Sequence, residues 1–184
     1  MMHKIFASLV LGILLSGAAL AESVSVLIKT TKGDITVALN TEKAPKSVEN
    51  FLRYADSGFY NGTIFHRIIS GFMIQAGGLT VDMTKKDAFD TVENESKNGL
   101  SNIRGSISMA RTSRPHTASS QFFINHDNNP NLDGSEHKWG YAVFGIVTKG
   151  MDIVDDIAST KTTVKDGRQN VPTKPILIES ITRI

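Results

Sequence analysis

Val24, Val26 and Ile28 alternate with Ser25, Leu27 and Lys29, and a second alternating run from Ile35 to Leu39 follows the turn signal Thr31-Lys32-Gly33-Asp34. Two short runs of period two joined by a turn predict an opening β-hairpin. The period then changes. Beyond Pro45, Val48, Phe51, Leu52 and Ala55 recur at helical spacing, and Gly58 stands where such a helix would stop. Further β-like runs cover Thr63 to Ile69, Phe72 to Gln75, Gly105 to Ala110, Gln121 to Asn125 and Tyr141 to Val147, mostly divided by turn residues. A second helix is predicted over Met151 to Ala158, where Ile153, Val154 and Ile157 share one side, and Ile176 to Ile184 supplies a closing strand. Strands that do not alternate regularly with helices disfavour a doubly wound parallel sheet. They predict a mainly β fold, an antiparallel sheet closed on itself with two helices plugging its open ends. Gly77 to Asn102 is long, polar and without period, the mark of a functional or partly mobile loop.

The residues ahead of this pattern differ in kind. Lys4 is followed by an apolar run from Ile5 to Leu15 and then by small residues ending at Ala19-Leu20-Ala21. This is the grammar of a cleavable secretory signal over residues 1–21, leaving one domain over 22–184. The alternative, an uncleaved anchor, is disfavoured because the run falls short of the about 20 residues that a bilayer requires. The remaining chain is long enough to bury roughly 70% of its unfolded surface, so a core needs no staples. None is available, because the chain has no cysteine. Disulfides, thiolate metal sites, cysteine nucleophiles and lipidation at a lipobox cysteine are thereby excluded. Twenty basic residues face 18 acidic ones without a basic stripe, so nucleic acid is not an expected partner.

Ready-made catalytic patterns are missing. Of five histidines, His3 lies in the leader and His66, His116, His126 and His137 lack metal-ligand spacing. There is no G-x-S-x-G elbow, P-loop or G-x-G-x-x-G. What stands out is polar residues inside apolar strands: Arg67 within Phe65-His66-Arg67-Ile68-Ile69, Gln75 within Phe72-Met73-Ile74-Gln75, and Gln121 opening Gln121-Phe122-Phe123-Ile124-Asn125. Alternation puts Gln121 and Phe123 on one face and Phe122 and Ile124 on the other, and it pairs Met73 with Gln75. Two readings stay open. Phe123 and Met73 form an exposed apolar cup with Arg67 and the glutamines as aimed donors, or Arg67 snorkels at a barrel end and the glutamines cap stray backbone groups.

Four strings in this order resemble the cyclophilins: Phe65 through Gly78, Gly105-Ser106-Ile107-Ser108-Met109-Ala110-Arg111, Ser119 through Asn125, and Val143-Phe144-Gly145. The resemblance spans Val24 to the C-terminus. It implies a closed eight-stranded antiparallel barrel with two capping α-helices, peptidyl-prolyl cis/trans isomerase activity, no cofactor, no metal, and a site on the outer barrel surface. It places the catalytic arginine at Arg67, with Gln75 orienting it. The proline pocket falls on Phe72, Met73, Phe123 and Leu132. Gln121, Ala110 and Arg111 line the groove for preceding substrate residues, and the Ala110 and Arg111 amides are expected to hold the rotating carbonyl. Tyr141 stands where eukaryotic members carry a pocket histidine, and Arg111 where they carry asparagine. Asn131 replaces their tryptophan, and Trp139 does not align with that position. The lost indole removes apolar area and a donor, so weak cyclosporin binding is expected.

Tyr141 and Asn98 through Gly105 look like the bacterial exported branch, which implies a periplasmic protein. The implied partners are proline-containing unfolded or partly folded polypeptides. Strand parity turns His66 away from Arg67, a structural role. The chain lacks a coiled coil or large apolar helix face, so a monomer without stable membrane association after signal cleavage is expected. A chaperone-like binding module of the same fold and an extracellular interaction protein are the rival readings.

Overall fold

The computed structural model describes residues 24–184, so the predicted leader lies outside the described residues. The opening hairpin forms as expected from β1 (Ser25–Thr30) and β2 (Gly33–Leu39). Its alternation delivers Val26, Ile28, Ile35 and Val37 to the interior with no exposed surface. The first helix, α1 (Pro45–Asp56), starts at the proline and buries Val48, Phe51, Leu52, Tyr54 and Ala55. Phe51 is its anchor, with ring centroids 5.3 Å from Tyr60, 5.4 Å from Phe122 and 5.1 Å from Phe144.

The residue before α1, Ala44, has no side chain able to cap the helix. The cap comes from far along the chain. Glu95 accepts from the Lys46 N–H at 3.0 Å, and from the Ser47 N–H at 2.7 Å and hydroxyl at 2.6 Å. A carboxylate here satisfies orphan amides and faces the positive end of the helix dipole. Glu95→Ala is expected to destabilise the fold by about 1–2 kcal/mol, read as a lower urea midpoint; an unchanged midpoint would show that water caps α1 equally well. The long polar segment that supplies Glu95 is thus a structural strap. It is also tied by the Val92↔Ala118 bridge and by Asn94 Nδ2 donating to Gly140 O at 3.0 Å.

The remaining elements are β3 (Arg67–Ile69), β4 (Met73–Ala76), β5 (Ser106–Met109), β6 (Phe122–Asn125), β7 (Val143–Lys149), α2 (Met151–Ala158), β8 (Thr162–Lys165), β9 (Arg168–Pro172) and β10 (Ile178–Arg183). Eight strands make one antiparallel sheet in the order β10-β1-β2-β7-β5-β6-β4-β3. The expected closure is only partial. Between β3 and β10 there is no ladder, and the edges meet through an Ile64↔Leu177 bridge with Phe65 N–H donating to Ile176 O and Ile178 N–H to Thr63 O. The barrel is therefore open along much of this seam, because β3 keeps only three strand residues before the chain turns at Ser70-Gly71.

A second sheet, the hairpin β8–β9, was not expected. All four β8 residues are exposed, which leaves no alternation to see. Its turn was visible nonetheless, since Asp166 (φ 51°) and Gly167 (φ 73°) form the Asp-Gly pair typical of two-residue hairpin loops. Among the described residues no helix is long and apolar enough to cross a membrane.

Candidate active site

Cross-strand register builds the site. Arg67 lies opposite Gln75, Gln75 opposite Phe123, and Phe123 opposite Ser108. Neighbouring strands sit about 4.8 Å apart, so residues in one row share a face. The opposite parity sends Phe122, Ile124, Ile74 and Ile68 into the core. A cleft of about 210 Å³ stands over this row, lined by Arg67, Phe72, Met73, Gln75, Ala110, Arg111, Phe123, Leu132 and Tyr141. Residues scattered from position 67 to position 141 thus converge. Gln121 is absent from the lining but touches it, accepting from Gln75 Nε2 at 2.9 Å.

Four details differ from expectation. Met73 and Phe123 are 2% and 4% exposed, so they form a recessed floor rather than an exposed cup. Gln75 does not hydrogen-bond Arg67; its amide is spent on Gln121, and register alone sets it beside the guanidinium. The Ala110 N–H donates to Gln121 O at 2.9 Å and is unavailable to a substrate, whereas the Arg111 N–H donates to no protein group among the described residues. Four of the five N–H donors of the Arg111 side chain are taken. Its Nε donates to Gly140 O at 2.9 Å, Nη1 to Thr112 O at 2.9 Å and Ser113 O at 3.4 Å, and Nη2 to Trp139 O at 2.9 Å.

Arg67 is in the opposite condition. Its guanidinium is half-buried, and its one hydrogen-bonding contact among the described residues is Nη1 to Met73 Sδ at 3.9 Å. A fork of donors is therefore left facing the cleft. Beside it the Phe123 and Tyr141 rings meet edge to face at 5.5 Å, and Arg111 stacks on Tyr141 at 4.6 Å. His66 is turned away and 6% exposed, with Nδ1 unpartnered. Burial lowers its pKa to about 4, outweighing an opposing pull from the Ile64 backbone, with smaller repulsions from Arg168 and Arg67 acting in the same direction as burial.

Behind the cleft lies a buried polar network that sequence reasoning missed. Asn129 Nδ2 donates to Phe72 O at 2.9 Å and to Asn125 Oδ1 at 2.7 Å, and Asn125 Nδ2 to Ser106 Oγ at 2.9 Å. Asn102 gives its N–H and Nδ2 to Asp133 Oδ1 at 2.6 and 2.8 Å. These bonds hold the backbone of Phe72 and of the one-turn 3-10 helix Pro130–Leu132, the carriers of two pocket side chains. The signal was the asparagine cluster from Asn125 to Asn131 directly after an apolar strand. Gly140 must be glycine, since a Cβ would overlap Gly134 N and Leu132 O. Among the described residues no group of three or more His, Asp or Glu is placed to hold a metal ion.

This geometry agrees with what comparison finds. The family description "Cyclophilin type peptidyl-prolyl cis-trans isomerase/CLD" matches residues 25–183. The chain belongs to the cyclophilins. Peptidyl-prolyl cis-trans isomerase A of Dickeya dadantii is 53% identical to this cyclophilin over 162 residues, 88% of this chain and 85% of that one. Peptidyl-prolyl cis-trans isomerase B of Escherichia coli is 47% identical over 160 residues, 85% and 98% of the two chains. A Cryptosporidium parvum cyclophilin type peptidyl-prolyl cis-trans isomerase, crystallised in the presence of the dipeptide Ala-Pro, superposes with a TM-score of 0.70 at 31% identity, covering 85% of this chain and 96% of that one. The departures seen in the sequence have structural counterparts in this cyclophilin. Asn131 is exposed and does not line the cleft, and Trp139 packs instead between Lys97 (4.4 Å) and His116 (4.9 Å).

Proposed function

We propose that this cleft twists Xaa-Pro bonds in exported polypeptides, with Arg67 as the catalytic residue. The supporting observation is an arginine whose donors, apart from one contact with Met73 Sδ, have no partner among the described residues, set beside a recessed apolar floor of Phe72, Met73, Phe123 and Leu132. An amide resists rotation because the nitrogen lone pair is shared with the carbonyl, a barrier of about 18–20 kcal/mol. At the twisted transition state that lone pair is localised. A group that interacts only then accelerates the step, because binding ground and twisted states equally changes nothing.

Arg67 holds the proline carbonyl and offers a second N–H toward the released lone pair, the geometry a planar fork provides. The proline ring settles on the floor, where Phe123 and Tyr141 exclude water. The residues before proline lie along Gln121, Ala110 and Arg111, with the Arg111 N–H as a donor for the moving carbonyl. Gln75 steadies Gln121 rather than Arg67. A charge-assisted bond contributes about 1.5–3 kcal/mol net, whereas a million-fold acceleration requires about 8 kcal/mol. The ring pocket and water exclusion supply the rest.

No proton is transferred in this scheme. The rate constant for the twist is therefore expected to be flat across neutral pH, measured by NMR exchange on a proline peptide; a bell-shaped profile would expose a titrating acid or base and overturn the scheme. The place of action follows from the leader pattern over residues 1–21. Cleavage after Ala21 and release of the domain to the periplasm are expected, as a monomer that meets unfolded or partly folded chains. N-terminal sequencing of the mature protein from a periplasmic extract tests this, and an intact Met1 on the cellular form counts against it.

A further inference from the structure

Of the nine residues lining the cleft, two are arginines and none is acidic. Neither Arg67 nor Arg111 forms an ion pair among the described residues, whereas Lys32, Lys46, Arg104 and Arg183 on other surfaces each hold a carboxylate. The acid beside the pocket in sequence, Asp133, directs Oδ1 at Asn102 and does not line the cleft. The cleft therefore carries two positive charges with no carboxylate among its lining residues to balance them.

Arg111 makes this arrangement permanent. Its four hydrogen bonds go to backbone carbonyls, which are neutral, so they fix the guanidinium without cancelling its charge. The Tyr141 ring against it prevents the side chain from swinging into water. With four of its five N–H donors taken, Arg111 acts on a substrate mainly through its field. In a recessed cleft such a field is less screened than at an open surface.

We infer that the cleft selects proline sites preceded by acidic residues, and that Arg111 is the specificity-determining cation. This inference rests on the isomerase reading above and names the substrate class within it. The segment before proline runs along Arg111 in that reading. A carboxylate there is attracted by Arg111, with Arg67 adding to the field, and a lysine is repelled.

The test compares three peptides that differ only in the residue before proline: glutamate, glutamine and lysine. Exchange rates are measured by NMR, so that no coupling protease imposes its own preference. At low salt kcat/KM is expected to fall in the order glutamate, glutamine, lysine, with about a tenfold span between the ends. Because the effect is a field, the span shrinks to about threefold or less in 0.5 M sodium chloride, where the Debye length is only a few ångströms. Arg111→Gln narrows the low-salt span in the same way. A span near one at low salt with the glutamine peptide accelerated overturns this inference and leaves the isomerase reading intact; so does a span that survives high salt. No acceleration of any peptide refutes the isomerase reading itself. Should Arg111→Gln fail to fold, the wild-type peptide series at low and high salt still decides.

Discussion

Arg67→Ala is expected to lower kcat/KM for a proline peptide by on the order of 100-fold, while the thermal midpoint moves by only a few degrees. The first figure follows from losing a charge-assisted hydrogen bond of about 1.5–3 kcal/mol that exists only in the twisted state. The second follows from how little Arg67 is bonded to its own protein. Its one hydrogen-bonding contact among the described residues is to a thioether at 3.9 Å, so removing it orphans no buried polar partner there. Arg67→Lys keeps the charge without the fork and is expected to fall between alanine and wild type. Retention of most activity in the alanine variant would mean that pocket binding and water exclusion carry the reaction. If peptide binding persists and the cell tolerates the loss of turnover, the chaperone-like reading of the same cleft takes over.

His66 should make this protein lose stability in mild acid. Its native pKa, pushed to about 4 by burial, lies below the ordinary value of 6.5. Between those two values the unfolded chain binds a proton that the native chain refuses, so unfolding free energy rises with pH across that window. The native state is fully protected from this penalty above pH 6.5. It loses about 3 kcal/mol, a shift of roughly 2.5 units at 1.36 kcal/mol each, as pH falls from 6.5 to 4. Carboxylates held low by partners, such as Asp56 by Arg183, act in the same direction but mainly below pH 4. Urea unfolding at intervals from pH 7 to pH 4 separates the two. His66→Phe is expected to flatten the slope by close to one proton; an unaltered slope would show that the imidazole is not held neutral.

Much of this site was legible before any coordinates, but unequally. The core assignments came through because period two in β1, β2 and β6 is itself a statement about burial: Val26, Ile28, Ile35, Phe122 and Ile124 are all at or near zero exposure. Arg67 and Gln75 stood out because polar side chains amid bulky apolar ones demand a reason. Their conversion into a site with Phe72, Leu132 and Tyr141 came from resemblance, since no local pattern links position 67 to positions 132 and 141. The asparagines behind the pocket went unseen although Asn125 interrupts an apolar strand. A polar side chain announces that it needs partners without saying where those partners lie.

The boundary between the two levels is physical. Alternation, helical spacing, a proline at a helix start and an Asp-Gly turn are local, because each is dictated by backbone sterics and by the face a side chain must present to a core. These determined most of the elements, their inward faces and the two helices, the exposed β8–β9 hairpin excepted. Only the tertiary structure decided what the freed donors do, because hydrogen-bond capacity is consumed by whatever arrives in space. Glu95 caps a helix nearly 50 residues earlier, through bonds at sequence separations of 49 and 48. The Ala110 amide, expected to serve a substrate, is taken by Gln121, and Arg111 is tied to carbonyls of Trp139 and Gly140. Two arginines of identical chemistry thus end with opposite tasks, one open to a reacting bond and one locked in the wall beside it. That division is a property of which neighbours the fold brings near, and no residue's identity contains it.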